Sequence, residues 1–412
     1  MRGLLIKNAS EIVTPIGKKA VLGKAMNDLT MIKDGAIVIE NGKIIAVDET
    51  ENILKRVEEK DYEVIDATGK SVLPGFVDSH THFIFGGYRE EEFSWRLRGD
   101  SYMSIMERGG GIVNTVKATR EATVEELVAL GRERLDSMMR FGVTTVEGKS
   151  GYGLDLETEL KQLEAMDILN KEHPLDIVKT FLGGHATPVE YKGKTEEYVR
   201  VIIDQMLPMV KDKADFCDVF CEKNVFSIEQ SRSILKAAKD LGMKLKLHAD
   251  EIVQFGGAEL GGELKAVSCD HLLQASDKGI EAMRDNGVVA TLLPCTAFSL
   301  RESYARGREM IDKGCAVSLA TDFNPGSCFT NSIPLMIALS TIQMRMTLEE
   351  VLTALTLNGA AAIDKAGSIG SIEEGKNGDI VILKYPSYKY LPYNVGVNIV
   401  HRVIKDGKVI VE

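Results

Sequence analysis

The sequence contains no run that approaches the 18 or more consecutive apolar residues of a membrane-spanning helix. The apolar part of its first residues, Leu4 to Ile6, is also too short for the hydrophobic core of a secretory signal peptide. We therefore expect a protein that neither spans nor binds a membrane and that works in the cytoplasm.

Positive charge is also in short supply. The 50 Lys and Arg residues are outnumbered by 61 Asp and Glu residues, which gives a net charge of −11 over 412 residues. Nucleic acids and anionic membrane surfaces are bound by concentrated Lys and Arg, so the composition argues against both as partners. An anionic substrate would need a local arginine to receive it.

Paired cysteines and a dinucleotide fingerprint are absent as well. No Cys-x-x-Cys occurs, and no Gly-x-Gly-x-x-Gly follows a first strand, so a dinucleotide cofactor has no support. The scattered cysteines are Cys217, Cys221, Cys269, Cys295, Cys315 and Cys328. Most lie in apolar runs, which predicts reduced core residues rather than a disulfide framework.

The two ends of the chain have the pattern of β-hairpins. Asn41-Gly42 separates two apolar runs within 36–47, and Asp406-Gly407 does the same within 403–411. We predict one small β-sandwich domain built from residues 1–68 and 362–412. The alternative is two unrelated β segments, one at each end.

The middle of the chain, residues 69–361, alternates strands with helices. Capping boxes open two of the helices, at Thr123 with Glu126 and at Ser227 with Gln230. The apolar strand candidates are 72–79, 143–147, 177–183, 215–221, 243–248, 265–269, 288–293 and 315–320. Eight such units favour a (β/α)8 TIM-like barrel over an open sheet.

Polar residues follow these strands at their carboxyl ends, where barrels of this type carry their functional groups. Five of the seven histidines lie there, whereas His173 and His401 do not and receive no role. The five are His80, His82, His185, His248 and His271. Such a concentration of imidazoles on one rim indicates a metal site.

His80 and His82 are two residues apart on a strand, so both side chains leave the same face and suit one ion. His248 is followed by Glu251, a pairing typical of a ligand and a base. Asp322 follows the apolar stretch 317–320 and is a candidate ligand. The simpler alternatives are core histidines and, for Asp322, a helix cap.

His271 has its own simpler alternative, a structural partnership with the preceding Asp270. Three imidazoles with one carboxylate suit zinc or ferrous iron with a position open for water. An ion of this kind makes hydroxide available near neutral pH, and a nearby carboxylate can pass the proton to a leaving nitrogen. The residues alone therefore predict a metal-dependent hydrolase of a carbon–nitrogen bond.

Several motifs of the sequence resemble those of the imidazolonepropionase family, which belongs to the amidohydrolase superfamily. They occur in the order of that family, and the resemblance extends from about residue 30 to 410. The motifs are residues 80–89, 109–112, 149–154, 248–251 and 319–327. The resemblance implies hydrolysis of the ring amide of 4-imidazolone-5-propanoate to N-formimidoyl-L-glutamate, a step of histidine degradation.

The resemblance also implies the residues of the site. The ligands of one zinc or iron ion per subunit would be His80, His82, His248 and Asp322. The small anionic substrate would be held by Arg89 at its propionate, and lined by Tyr152, His185, Glu251, Asn324, Gly326 and Ser327. Glu251 would act as general acid and base, His271 would orient or polarise the scissile carbonyl, and Asp322 could share the proton transfer. A homodimer is a further implication.

Two other functions remain open at this point. A ring deaminase of the guanine or cytosine type would use similar ligands, although nucleobases have no carboxylate for Arg89 to hold. A metal-free relative could retain the barrel as a scaffold, although the candidate ligands are all present. Binuclear relatives carry a carboxylated lysine after strand 4; here Cys221-Glu222 stands there, which favours one ion. Glu222 as a bridging ligand is the alternative.

Overall fold

The computed structural model describes residues 3–100, 108 and 110–412, which form two eight-stranded sheets. The strands of the first sheet are β1 (Gly3–Thr14), β2 (Thr30–Glu40), β3 (Lys43–Glu49), β4 (Tyr62–Asp66), β5 (Ser71–Pro74), β14 (Ile380–Leu383), β15 (Val400–Lys405) and β16 (Lys408–Val411). Those of the second are β6 (Phe76–Thr81), β7 (Val143–Lys149), β8 (Asp176–Gly184), β9 (Phe216–Cys221), β10 (Lys244–Ala249), β11 (Ser268–His271), β12 (Val289–Leu292) and β13 (Val317–Leu319).

Helices connect most strands of the second sheet. The described α-helices are Thr50–Leu54, Glu90–Leu97, Ile112–Glu121, Val124–Arg140, Leu156–Glu172, Thr195–Val201, Leu207–Val210, Ile228–Asp240, Gly257–Leu264, Asp277–Asn286, Pro294–Leu300, Gly307–Asp312, Ile333–Ile342, Leu348–Leu355, Leu357–Ala362 and Tyr390–Tyr393. Both predicted capping boxes are confirmed, because Thr123 and Ser227 each exchange hydrogen bonds with the residue three positions later. No helix in the described part of the chain is long and apolar enough to cross a membrane.

The second sheet is the predicted parallel barrel. Its strands pair in chain order from β6 to β13, and every pairing is parallel. At the end of β6 and just beyond β13 the ring is closed by backbone hydrogen bonds, from Asp322 N to His80 O and from His82 N to Phe323 O, both at 2.9 Å. The same closure therefore fixes the backbone of three candidate ligands.

The strand expected at 72–79 is two strands. Residues 71–74 (β5) pair with β1 and β14 of the first sheet, and the barrel strand β6 begins at Phe76. Gly75 lies at the crossing, where a Cβ atom would stand 2.3 Å from the hydroxyl of Thr144. The lack of a side chain at this position lets the chain leave one sheet and enter the other.

The first sheet joins the two ends of the chain, because β5 pairs with β14. Both predicted hairpins are present, as β2 with β3 and as β15 with β16. Apolar residues from both ends share one buried cluster, among them Ile6, Ile39 and Ile404. On this connectivity we propose that residues 1–68 and 362–412 form one domain and 69–361 the other. Strand β5 links them, because it belongs to the second range but pairs within the first sheet.

All six cysteines are free and buried, as predicted. Cys217 and Cys221 lie on β9, and Cys269 lies on β11. Burial raises the pKa of the Cys221 thiol to about 12, so it stays protonated. These residues fill the core of the barrel and its surrounding helices.

Candidate active site

The five imidazoles predicted on the rim lie together at the carboxyl end of the barrel. His80 and His82 come from the end of β6 and the residue after it, His185 follows β8, His248 lies in β10, and His271 ends β11. Ring centroids of contacting pairs are 4.6 to 5.9 Å apart. Strands β6, β8, β10 and β11 therefore bring histidines that are far apart in sequence to one point.

The donor atoms of the four predicted ligands converge. Asp322 Oδ1 lies 3.5 Å from Nε2 of both His80 and His82, and His82 Nε2 lies 3.5 Å from His248 Nε2. Donors about 2.1 Å from one tetrahedral ion are about 3.4 Å from each other, so these separations fit a single metal ion. His80 Nε2 is buried without any hydrogen-bond partner, as expected of an atom that would face an ion.

Two of these histidines contact a carboxylate through the ring nitrogen Nδ1. His80 Nδ1 is 2.6 Å from Asp270 Oδ2, and His248 Nδ1 is 2.9 Å from Asp218 Oδ2. A carboxylate on Nδ1 keeps the proton on that nitrogen and leaves the Nε2 lone pair free for a metal. Both carboxylates are fully buried, so their positions are fixed by the barrel interior.

Asp218 is absent from the sequence-based site. The sequence feature that could have identified Asp218 is its position inside the apolar strand Phe216–Cys221, because an acidic residue is rarely buried there unless its charge is paired. Asp270 was considered only as a partner of the adjacent His271, whereas the structure pairs it with His80. Neighbouring residues on a strand point to opposite faces, so adjacency in sequence was misleading here.

Below the two aspartates lies a buried ion network. Lys149 Nζ is 2.8 Å from both Glu147 Oε1 and Asp218 Oδ2, and 3.6 Å from Asp270 Oδ2. Burial disfavours the ammonium form, but these three carboxylates outweigh it, so the pKa of Lys149 lies above its usual value. Lys149, the first residue of the motif 149–154, is therefore ion-paired in the barrel interior.

The electrostatics of the rim keep most imidazoles neutral, the form that can bind a metal. Burial, reinforced by the nearby Lys149 or by neighbouring imidazoles, holds the pKa values of His80, His82 and His271 well below 6.5. His248 differs, because burial lowers its pKa but the Asp218 carboxylate more than offsets that effect and raises it. A bound cation would itself favour the neutral ring.

His185 and His271 also have nitrogens within reach of the same point. Each lies in a group of three imidazoles whose ligand atoms are within 4.8 Å of one another, His185 with His82 and His248, and His271 with His80 and His248. Their surroundings differ from those of the predicted ligands. His185 Nδ1 is 3.0 Å from the carbonyl oxygen of Gly151, and His271 Nδ1 is 3.5 Å from Glu251 Oε1.

Glu251 lies beside this cluster with a carboxyl group suited to proton transfer. Burial, with the charge of Asp322, raises the pKa of Glu251 to about 8, and burial raises that of Asp322 to about 6. Asp322 is also fixed by a 2.6 Å hydrogen bond from Thr296 Oγ1 to its second oxygen. Both pKa values therefore lie near neutral pH, where a carboxyl group can both take up and release a proton.

Buried carboxylates shape the loop that presents Glu251. Glu222 Oε2 accepts a hydrogen bond from the amide of Ile252 at 2.8 Å. Asp250 accepts hydrogen bonds from the backbone amides of Phe255, Gly256, Gly257 and Ala258. Within the described residues Glu222 belongs to no metal-capable group, which favours one ion.

The predicted propionate-binding elements lie next to each other. Arg89 Nη1 would be 2.2 Å from a Cβ atom at position 326, so the guanidinium packs directly on Gly326. Asn324 Oδ1 accepts hydrogen bonds from the amides of Gly326 and Ser327, at 2.9 and 2.8 Å, and thereby folds this turn. Arg89 is paired with the buried Glu92, 2.8 Å away.

Tyr152 and His185 form a wall beside the imidazoles. The His185 ring stacks on that of His82 at 5.1 Å, and the Tyr152 ring lies 5.8 Å from His82. Glu159 holds the loop that carries Tyr152 by accepting hydrogen bonds from backbone amides, among them Gly153 N at 2.9 Å. Of the motif 109–112, Gly109 lies outside the described residues, and the Gly111 amide donates to Glu92 at 3.0 Å.

Comparison with known proteins gives a consistent result. The model of the amidohydrolase family matches residues 71–410. The chain is 63% identical to an imidazolonepropionase of Clostridium tetani, over 99% of this chain and 98% of the relative. It is 62% identical to an imidazolonepropionase of Parabacteroides distasonis, over 98% of both chains.

Solved structures share the fold at much lower identity. A guanine deaminase from C. acetobutylicum with bound guanine matches with a TM-score of 0.70 and 16% identity, over 99% of this chain and 100% of the other. The fold alone is therefore common to hydrolases and deaminases. The choice between them rests on the sequence relatives and on the residues of the rim.

Proposed function

Because the chain belongs to the amidohydrolase family, and within it to the imidazolonepropionases, we propose that this rim hydrolyses the ring amide of 4-imidazolone-5-propanoate. The product is N-formimidoyl-L-glutamate, and the reaction is a step of histidine degradation. We base the residue assignment on the convergence of Asp322 Oδ1 with the histidine Nε2 atoms. Aspartates on the Nδ1 side of His80 and His248 support it.

The metal would be held by the donors that converge. We assign one zinc or iron ion to His80, His82, His248 and Asp322. When bound, it supplies the Lewis acidity that polarises the ring carbonyl and lowers the pKa of the attacking water. The carboxylate partners of His80 and His248 hold these two rings in the tautomer that such binding requires.

Proton transfer falls to Glu251. Its carboxylate takes a proton from the water whose oxygen attacks the lactam carbon, and the resulting acid returns that proton to the ring nitrogen as the carbon–nitrogen bond breaks. Asp322 is adjacent and ionisable but is also an assigned ligand, so Glu251 is the better candidate. His271 is neutral and can donate a ring N–H to the carbonyl oxygen on which negative charge develops.

Substrate recognition relies on Arg89 and the turn beside it. The guanidinium is a planar fork that suits a carboxylate, and it is only 12% exposed. Asn324 shapes the turn that carries Gly326 and Ser327, against which Arg89 packs. Tyr152 and His185 would flank the ring of the substrate.

Replacement of Arg89 by methionine should weaken substrate capture. The propionate would lose its charge-assisted partner, which costs about 2–5 kcal/mol, or roughly 30-fold or more in kcat/KM. Metal content should not change, because Arg89 is not an assigned ligand. Steady-state kinetics with 4-imidazolone-5-propanoate measure the effect.

An uncharged analogue provides the control for this variant. The corresponding propionamide should react at similar rates with the wild type and with Arg89→Met, since it has no carboxylate to lose. Near-normal kinetics of the variant on the natural substrate would place the propionate elsewhere.

The reaction itself is tested by two assays on one preparation. We expect the absorbance of imidazolonepropionate to fall in the presence of the protein, and no ammonia to appear from guanine or cytosine. Ammonia release from a nucleobase without loss of imidazolonepropionate would replace this function with a ring deaminase.

Three further properties belong to the same proposal. Six free buried cysteines suit a reducing cytoplasm. A homodimer follows from the family resemblance. A single ion per subunit is supported by the use of Glu222 in backbone hydrogen bonds rather than toward the imidazoles.

A further inference from the structure

Lys149 ends strand β7 and points into the barrel, where its side chain is completely buried. It touches neither the converging donor atoms nor the propionate turn in the described contacts. Its ammonium instead faces three carboxylates, one from β7 itself and two from β9 and β11. The closest are Glu147 and Asp218, each at 2.8 Å, and Asp270 lies at 3.6 Å.

Two of those carboxylates orient the assigned ligands. Asp218 faces His248 at 2.9 Å, and Asp270 faces His80 at 2.6 Å. For each aspartate, the oxygen that faces the imidazole is the same Oδ2 that faces Lys149. One ammonium group therefore connects β7 to ligands on β6 and β10, through carboxylates on β9 and β11.

We propose that Lys149 is a positioning residue for the metal centre, which sets the orientation of His80 and His248 through Asp270 and Asp218. The inference rests on the proposed function, since it concerns the ligands assigned there. A carboxylate held between an ammonium and an imidazole N–H has a defined position, and the ring it contacts is fixed with it. Lys149 does so for two ligands at once.

The buried carboxylates around Lys149 need a cation to balance their negative charge. Glu147, Asp218 and Asp270 are all buried, and they face two buried lysines, Lys149 and Lys246. Without Lys149, Glu147 and Asp270 would share the ammonium of Lys246, and Asp218 would have no ammonium partner among the described contacts, in a region of low dielectric. Their mutual repulsion would move Asp218 and Asp270 away from the positions that now orient the rings.

Lys246 provides a matched control. It is equally buried and lies as far from Asp270 as Lys149 does, at 3.6 Å, but its contact with Glu147 is longer, at 3.4 Å, and none of its described contacts reaches Asp218. Its shortest hydrogen bond goes to the backbone oxygen of Ser79, at 2.9 Å. Removal of Lys246 also deletes a buried charge, but it leaves the link from Lys149 to Asp218 intact.

The test compares zinc affinity in full-length Lys149→Met and Lys246→Met proteins by competition with a chromogenic chelator. We expect Lys149→Met to bind zinc about 10- to 100-fold more weakly than the wild type, the usual effect of losing a group that supports a ligand. Lys246→Met should bind within about threefold of the wild type. Thermal unfolding of both metal-free proteins shows whether they are equally destabilised.

A double-mutant cycle separates positioning from general loss of structure. If Lys149 acts through Asp218, Lys149→Met should weaken zinc binding much less in an Asp218→Asn background than in the wild type. Should Lys149→Met not fold, Lys149→Gln takes its place, because its amide keeps a hydrogen-bond donor without the charge. Wild-type zinc affinity in the folded neutral variant, or equal loss in Lys246→Met, would overturn the inference.

Failure of this inference is distinguishable from failure of the proposed function. A wild-type protein that bound no zinc and did not consume imidazolonepropionate would remove the function. A wild type that does both, beside a Lys149 variant of unchanged zinc affinity, would remove only the role of Lys149.

Discussion

Replacement of His248 by alanine is expected to abolish metal binding and turnover together. His248 Nε2 lies 3.5 Å from His82 Nε2, so the substitution deletes one of four converging donors. It also leaves the buried Asp218 without its imidazole partner, which disturbs the carboxylate that Lys149 holds. Elemental analysis of the purified variant and the rate of loss of imidazolonepropionate absorbance measure the two effects.

His173→Ala is the control for this variant. His173 is paired with Asp136, at 3.1 Å, and lies away from the rim. It should retain both metal and activity, which excludes a general effect of losing a histidine. A His248→Ala protein with wild-type metal content would mean that another imidazole, such as His271, completes the ligand set.

Replacement of Glu251 by glutamine is expected to reduce kcat by roughly 100- to 10,000-fold, the usual contribution of a general acid and base. The amide keeps the shape of the side chain but cannot take a proton from water or return one to the leaving nitrogen. Metal content should stay at the wild-type level, because Glu251 is not an assigned ligand. The combination of lost kcat and retained metal separates this variant from His248→Ala.

Glu259→Gln offers a comparison at a nearby carboxylate. Glu259 accepts a hydrogen bond from Ser276 and takes no part in the rim, so its variant should keep wild-type kcat. If Glu251→Gln kept its kcat as well, proton transfer would have to be assigned to Asp322.

Much of the fold could be predicted from the sequence, because the residues that mark its turns and helix starts act locally. Asn41-Gly42 and Asp406-Gly407 mark hairpins through turn chemistry, and the capping box at Thr123 marks a helix start through two reciprocal hydrogen bonds. The split of 72–79 into two strands was not readable. A continuous apolar run does not show which sheet each half joins, and the contacts that fix the crossing, among them the close approach of Thr144 to Gly75, are tertiary.

The rim histidines could also be predicted, since each lies at or just beyond the carboxyl end of an apolar strand, and these ends meet on one face of a barrel. The interior network could not. Asp218, Lys149 and Asp270 lie on three different strands, and their pairing depends on the register around the barrel rather than on sequence spacing. The ion pair of Arg89 with Glu92 was likewise not predicted. The two residues are three positions apart at the start of a helix, a separation that brings their side chains together.

The most direct test of the central claim is a titration of metal-free protein with zinc or ferrous iron while imidazolonepropionate hydrolysis is followed. We expect no turnover without metal, a rise in rate in proportion to the ion added, and saturation at one ion per chain. Full activity in protein shown by elemental analysis to be metal-free would contradict it, as would metal binding that restores no hydrolysis.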